Sequence, residues 1–235
     1  MSLILIIESG TDICSVGIAK DGEMISLRES DRGRDHASKV ATFAEELFEQ
    51  SGITAADLDA VAVGMGPGSY TGLRIGVSFA KGLCYGLNIP LIGVGSLESM
   101  CAVARENYEV GLFEVENWQS ARLCPMVDAR RMEIYTQIFD AEARALTQVS
   151  AEIISAENCF AEYNDVTPFL IFGNGAEKCL EYMPWATFVE VIPSARGIAK
   201  LAHAKLTAGE VEDVAYVEPF YLKDFMVTTS KKKFF

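Results

Sequence analysis

The sequence predicts an α/β protein built of two lobes, in each of which the elements follow the order βββαβαβα. Three observations support this prediction. The chain has 235 residues, enough for two compact lobes, and 50% of it is hydrophobic while 23% is charged, as in globular proteins. Short apolar runs alternate with longer runs of helical period, and this alternation occurs twice. The repeated order predicts two lobes with a cleft between them.

Turn residues separate the predicted elements of the first lobe, residues 1–109. The Asp-Gly pair at 21–22 lies between two short strand-like runs and predicts a hairpin. In the helix that follows, Asp35 is the predicted N-cap and Gly52 the predicted stop. The predicted strands are 3–8, 14–20, 23–29, 58–65 and 91–94, and the predicted helices are 36–51, 72–87 and 96–109, the last capped by Ser96.

The second lobe, residues 110–235, repeats the order with weaker signals. A turn of sequence Asp-Ala-Arg-Arg at 128–131 joins its first two strands, and Gly-Asn-Gly at 173–175 marks a turn after a later strand. The predicted strands are 123–127, 132–140, 146–149, 169–172 and 188–192, and the predicted helices are 155–163, a short one after residue 175, and 195–207.

Composition excludes several classes of protein. The formal charge of −13 argues against broad nucleic-acid binding by this chain alone, because neutralising phosphates supplies most non-specific affinity. The six cysteines form no Cys-x-x-Cys pair, which predicts buried free thiols in a reducing compartment. The first residues indicate a strand and not a signal peptide, and no run reaches the roughly 18 apolar residues of a membrane span. We therefore expect a cytoplasmic protein without membrane contact.

A glycine-dense segment, residues 66–76, reads Gly-Pro-Gly-Ser-Tyr-Thr-Gly-Leu-Arg-Ile-Gly and joins a predicted strand to a predicted helix. Backbone N–H groups at such a junction suit an anion. The spacing, however, fits neither a Walker loop, which needs Gly-Lys-Ser/Thr, nor the Gly-x-Gly-x-x-Gly turn of dinucleotide-binding folds. We therefore predict an architectural role, in which the glycines allow a tight turn into the helix.

The helix predicted at 72–87 is apolar on nearly every side, which indicates burial. That burial requires either two layers of its own chain or a second protein. We predict that this helix and helix 36–51 form a two-helix face that docks against the same face of a relative; an ordinary core helix is the alternative. The predicted interface residues are Val40, Phe43, Leu47, Leu73, Ile75, Val77, Phe79 and Leu83.

Several segments together resemble the TsaB (YeaZ) family. The resemblance is dense over residues 1–105, and the glycine segment combined with the Asp-Ala-Arg-Arg turn is its most specific part. The segments that carry it are 5–11, 36–38, 60–76, 89–97, 127–135 and 173–176.

The resemblance implies a two-lobed actin-like, Hsp70-like ATPase fold of the ribonuclease H-like kind. It implies a non-catalytic subunit that forms a heterodimer with TsaD, the paralogue that transfers threonylcarbamoyl to N6 of adenosine 37 in tRNAs reading ANN codons. TsaE would join as a third protein, tRNA would be met only through the complex, and the chain alone would form a homodimer. The family's old glycoprotease label finds no support in the residues.

The resemblance also locates a possible vestigial nucleotide cleft. In that fold the phosphates lie between the first hairpin turns of the two lobes, and the base lies near a later glycine turn. The corresponding residues here are Glu8, Ser9, Gly10, Thr11, Asp128, Arg130, Gly173 and Gly175. TsaB sequences commonly have Asp-Thr-Ser where this chain has Glu8-Ser9-Gly10, which argues against tight nucleotide binding.

The chain lacks the His-x-x-x-His metal pair of the catalytic paralogue, because His36 is followed four positions later by Val40 and the only other histidine is His203. We therefore expect no catalytic residue, no metal and no obligatory cofactor, with weak ATP, ADP or magnesium binding left open. The alternative is an autonomous nucleotide-binding kinase or ATPase of the same fold, in which Glu8 would hold magnesium through water. A small basic tail, Lys231 to Lys233, has no predicted role.

Overall fold

A computed structural model describes residues 1–30, 36–155 and 160–223, without the side chains of 36–38. Within these residues the first lobe has strands β1 (Leu3–Glu8), β2 (Ser15–Lys20), β3 (Glu23–Glu29), β4 (Ala60–Gly64) and β5 (Leu91–Val94). Its helices are α1 (His36–Ser51), α2 (Tyr70–Leu87) and α3 (Ser96–Glu109). The predicted order βββαβαβα is confirmed for this lobe. The proposed N-cap Asp35 lies outside the described residues.

The second lobe contains strands β6 (Arg122–Asp128), β7 (Glu133–Thr136), β8 (Ser150–Ile153), β9 (Phe169–Phe172) and β10 (Thr187–Phe188), followed by helix α4 (Arg196–Ala208). Short 3-10 turns at Ala161–Tyr163 and Glu177–Cys179 lie where two helices were predicted; part of the first prediction, 156–159, lies outside the described residues. The third strand lies later than predicted. β10 is shorter than predicted, although Val189 still donates a backbone hydrogen bond to Ile171 O at 3.1 Å.

The two sheets share one topology. In the described residues the strand orders are β3-β2-β1-β4-β5 and β8-β7-β6-β9-β10, so β1 and β6 are the central strands. Each central strand pairs antiparallel with the next strand in sequence and parallel with the fourth of its lobe. Ligand sites in sheets of this kind lie beyond the carboxyl ends of the parallel strands. The turns after β1 and β6 are therefore equivalent positions in the two lobes.

The helices α3 and α4 each cover the sheet of the other lobe. Leu97, Met100 and Val103 of α3 pack in the core of the second sheet, whereas Ile198 and Ala202 of α4 pack on the first. The two helices cross closely, because a Cβ at Gly197 would come within 3.0 Å of Ser99 O. A division of the chain at 109/110 therefore does not separate two independent cores, and that domain boundary stays a prediction.

The longest helix of the described residues, α2, has 18 residues. None of the helices in those ranges combines enough length with enough apolar character to cross a membrane.

Candidate functional site

The glycine segment packs directly on the turn that follows β1. Ser69 N donates to Gly10 O at 2.6 Å, so the loop before α2 lies against the turn. A Cβ at Gly68, Gly72 or Gly76 would come well under 3.0 Å from an atom of Ser9 or Gly10. At Gly68 and Gly72 the close atoms are backbone oxygens of the turn, and at Gly76 the close atom is the Ser9 hydroxyl, so a side chain at any of these positions would clash. This packing supports the architectural role that was predicted for the segment.

The residues of the turn itself are buried and hydrogen-bonded inside the lobe. Glu8 is 0% exposed; its Oε1 accepts from Gly10 N at 2.7 Å and its Oε2 accepts from Ser96 Oγ at 3.2 Å. Ser9 Oγ donates to Gly72 O at 2.9 Å, and Thr11 is buried as well. The backbone of the glycine segment lies beside these residues, which weighs against the predicted vestigial nucleotide cleft at Glu8, Ser9, Gly10 and Thr11; that cleft stays a prediction.

Burial also sets the electrostatics of this turn. Desolvation raises the pKa of Glu8 above 4.5, its ordinary value, while hydrogen bonds from Gly10, Ser96 and Ser9 act in the opposite direction. A carboxyl group enclosed in this way does not hold a hydrated magnesium ion. Ser96 does not cap α3 as predicted: Gly95 is the N-cap residue, and the Ser96 hydroxyl bonds to Glu8.

The turn after β6 is exposed and is held by a lysine. Asp128 N donates to Asn174 Oδ1 at 3.0 Å, and Asp128 Oδ1 accepts from Arg130 N at 3.0 Å. Lys178 Nζ forms an ion pair with Asp128 and donates to Arg131 O at 3.1 Å. Arg130 and Arg131 have positive φ, 66° and 49°. Lys178, which holds this turn, was not among the predicted site residues.

Gly173 and Gly175 are structural at this turn. Gly173 has φ +97°, and a Cβ on either glycine would come within 3.0 Å of the backbone at the end of β6. Gly175 N donates to Met126 O at 2.9 Å. The predicted cleft residues thus form two separate groups. Among the described residues no hydrogen bond or ion pair joins the turn after β1 to the turn after β6.

A cavity of about 400 Å³ lies between the lobes, beside the start of α3. Its polar side chains are already engaged: Gln137 Nε2 donates to Thr147 O at 2.7 Å, and Arg144 pairs with Asp140 at 2.7 Å. Burial raises the pKa of Glu98, the remaining carboxyl in the wall, although Lys205 opposes the shift. Within the ranges that the structure describes, no three His, Cys, Asp or Glu side chains are grouped to hold a metal ion.

The predicted docking residues divide into two sets. Val40, Leu47 and Val77 are buried in the first lobe's own core, between α1, α2 and the first sheet, and Leu73 is also buried. Coverage by their own chain weighs against these four as interface residues, which stay a prediction. Helical periodicity shows that a residue is covered but not by which chain. The half-buried residues, which pack at the edge of that core and stay predicted interface residues, are Phe43, Ile75, Phe79 and Leu83.

The outer side of α2 carries a feature that the sequence interpretation missed. Thr71, Arg74, Ser78 and Gly82 are exposed at helical spacing, and Tyr85 continues this stripe with 85% of its surface exposed. Nothing lies within 4 Å of a Cβ built on Gly82. The sequence feature that could have revealed it is Tyr85, an aromatic residue on the same side of the helix as Thr71 and Ser78. We call Ile75, Phe79, Leu83 and this stripe the outer face of α2.

Two sheets of identical order, with central strands that end in equivalent turns, define the class of two-lobed actin-like proteins. A family model described as TsaD, tRNA N6-adenosine threonylcarbamoyltransferase, matches residues 30–216. The chain belongs to this family, and within it to the TsaB (YeaZ) group.

Individual relatives agree with this assignment. The tRNA threonylcarbamoyladenosine biosynthesis protein TsaB of Haemophilus influenzae is 26% identical over 94% of this chain and 93% of its own length. The solved structure of YeaZ from Pseudomonas aeruginosa superposes with a TM-score of 0.75 at 24% identity, covering 94% of this chain and 100% of that one. A tRNA N6-adenosine threonylcarbamoyltransferase of Fusobacterium nucleatum is 40% identical over 39% of this chain and 32% of its own length.

Proposed function

We propose that this chain is a non-catalytic subunit in the formation of N6-threonylcarbamoyladenosine in tRNA, and that it acts by binding a TsaD-type transferase. Relatives named for this biosynthesis, similar over nearly the whole chain, support the pathway. The observation that carries the non-catalytic role is the closed turn after β1: Glu8 is fully buried and the glycine segment lies against it. Packing of this backbone against the turn weighs against phosphate binding there.

The outer face of α2 is the proposed docking surface. Exposed aromatic residues surrounded by half-buried aliphatic ones are the usual anchors of protein interfaces. Tyr85, Ile75 and Phe79 provide such a group in this chain. A transferase that shares this fold would present its equivalent helix, and without it two copies of this chain would pair through the same face. TsaE would join the heterodimer, and tRNA would bind only to the complex.

A cytoplasmic location is part of the proposal. The described cysteines are free and buried, as expected in a reducing compartment. Burial raises the pKa of the Cys14 and Cys84 thiols to about 11, so neither is ionised near neutral pH.

Reconstitution tests the function. Purified TsaD, TsaE, a threonylcarbamoyl donor and tRNA would be combined with and without this chain, and modified nucleoside would be measured. We expect modification only when the chain is present. Undiminished modification in its absence would contradict the proposal.

A matched pair of variants tests the docking face. Tyr85→Asp places a carboxylate on the outer face of α2, and Leu112→Asp places one on an equally apolar residue, 69% exposed, elsewhere on the surface. We expect Tyr85→Asp to weaken binding to TsaD at least tenfold in calorimetry and Leu112→Asp to leave it unchanged. Equal affinities for the two variants would move the interface away from this face.

The alternative function, an autonomous kinase or ATPase, needs an open carboxylate at the turn after β1. The burial of Glu8 weighs against it. Calorimetry with magnesium and ATP, followed by a hydrolysis assay without partners, separates the two functions. Turnover by the isolated chain would favour the enzyme.

A further inference from the structure

The chain does not end at α4 but returns across the first lobe. Residues 209–223, here called the strap, first run along the edge of the first sheet, where Glu212 N donates to Leu91 O at 2.8 Å. The strap then crosses α2, whose Lys81 Nζ donates to Val217 O at 2.9 Å and to Ala215 O at 3.4 Å. Its first part is thereby fixed to the sheet and to the helix.

The strap reaches the glycine segment at Phe220. Phe220 N donates to Met65 O at 2.8 Å, immediately before the segment begins. A Cβ built on Gly66 would lie 3.1 Å from the carbonyl oxygen of Phe220. Because Gly66 has φ +99° and no side chain, the strap can lie this close to the end of β4.

Tyr221 then joins the strap to the first turn of α2. Its ring centroid is 5.0 Å from that of Tyr70, and its hydroxyl accepts a hydrogen bond from Arg74 Nε at 3.0 Å. The Arg74 guanidinium lies 4.1 Å from the centroid of the Tyr70 ring. Cation–π and aromatic contacts of this kind orient side chains with respect to one another. The position of Tyr221 is therefore coupled to the start of α2.

Two residues further on, the strap contacts the other lobe. Lys223 forms an ion pair with Glu133 of β7, whose side chain is only 18% exposed. Within four residues, this short segment thus bonds to Met65 directly after β4, to α2 and to the second sheet. We propose that residues 220–223 form a clasp, latched by Lys223 and Glu133, that fixes the second lobe to the first turn of α2.

The clasp is built to open reversibly. The Lys223 side chain is half exposed, and ion pairs at the surface change an equilibrium by only about fivefold and weaken with salt. Its opening would release Tyr221 and, through Tyr221, the first turn of α2. The clasp depends on contacts inside this chain and not on which partner α2 meets.

Hydrogen exchange of the full-length protein, followed by mass spectrometry, tests the clasp. Lys223→Glu opposes the Glu133 charge, and we expect it to raise exchange about fivefold or more in peptides covering 218–223 and 70–74, but not in α1. Lys200→Glu is the matched control, because Lys200 pairs with Glu23 in a pair that is about three-quarters exposed on both sides. It should leave exchange in both peptides unchanged.

The charge-exchanged double variant, Lys223→Glu with Glu133→Lys, completes the test. We expect it to return exchange in both peptides to within about twofold of the original protein, since the pair is restored with reversed charges. Unaltered exchange in Lys223→Glu would overturn the clasp. Faster exchange at 218–223 alone, or a double variant that stays as fast as the single one, would overturn it too.

Discussion

The turns after β1 and β6 occupy the same place in two sheets of the same order, yet one is sealed and the other is open. In the first lobe Glu8 is fully buried, whereas in the second the side chain of Asp128 is 45% exposed. The segment that follows the neighbouring parallel strand causes this difference. After β4 the glycine segment leads into a long helix that lies on the turn, whereas after β9 the chain brings the side chains of Asn174 and Lys178 to the turn, the latter from a short 3-10 turn.

The difference shows two ways of closing one topological position. A backbone can fill the space beside a turn only if glycines let it approach, as at Gly68, Gly72 and Gly76. A side chain can occupy the space from a distance, but it must then neutralise the charge it meets, as Lys178 does with Asp128. We expect the turn that is closed by backbone to tolerate few substitutions, and the turn that is held by a side chain to tolerate more.

The largest effect is expected where backbone closure is disturbed. Gly72→Ala would place a Cβ against Ser9 O, and we expect it to lower the free energy of unfolding by about 3 kcal/mol, measured by urea denaturation. Gly82→Ala in the same helix has open space and should raise it by up to about 1 kcal/mol. Similar losses in both variants would mean that helix α2 tolerates no substitution and that the contact with Ser9 is not the cause.

The next effect concerns the buried carboxyl group at the sealed turn. Because its pKa is raised, folded Glu8 holds its proton more tightly than the unfolded chain does, so its contribution is complete below pH 4.5 and is lost as pH rises through the folded pKa. Glu8→Gln keeps the size and shape of the side chain and cannot ionise. Relative to the original protein, the variant should therefore gain stability with increasing pH over this window.

Urea denaturation at several pH values from about 4 to 8 measures this difference. Glu49→Gln, at an exposed position on α1, controls for the loss of one charge. A stability difference between Glu8→Gln and the original protein that stays constant over the whole range would show that Glu8 is not the titrating group.

The smallest effect is expected at the open turn. Lys178→Met removes the ion pair with Asp128 and the hydrogen bond to Arg131 O, and should lower the free energy of unfolding by about 1 kcal/mol, since the lysine is partly exposed. Raising the salt concentration should shrink the difference. A loss as large as that of Gly72→Ala would show that the two turns are closed equally firmly.

The first lobe could be predicted from the sequence far better than the second. Its strands are apolar or alternating runs, two of them joined by the Asp-Gly pair at 21–22, and the predicted bounds of α1, 36–51, agree with those of the structure. In the described part of the second lobe β10 has two residues and the connections contain 3-10 turns of three residues each. Elements this short have too few residues to show a period.

The site was harder to predict than the fold because its contacts join distant residues. The bond between Ser96 and Glu8 spans 88 positions, and the one between Lys178 and Asp128 spans 50. Nothing near Ser96 in the sequence indicates whether its hydroxyl caps the helix or donates a hydrogen bond to a buried carboxyl group. In the same way, the apolar spacing of Val40 and Val77 indicates a buried helix face but does not indicate whether the same chain or a partner covers it.

The crossing of α3 and α4 affects how the protein is made. As the chain leaves the ribosome, the first sheet can pair all five of its described strands once residue 94 has emerged. One of its faces, with Ile4, Ile6 and Ile92, is covered by Ile198 and Ala202 of α4. That apolar surface must wait for about a hundred further residues of synthesis, which takes of the order of ten seconds. We therefore expect the nascent chain to expose this apolar face until α4 has been synthesised.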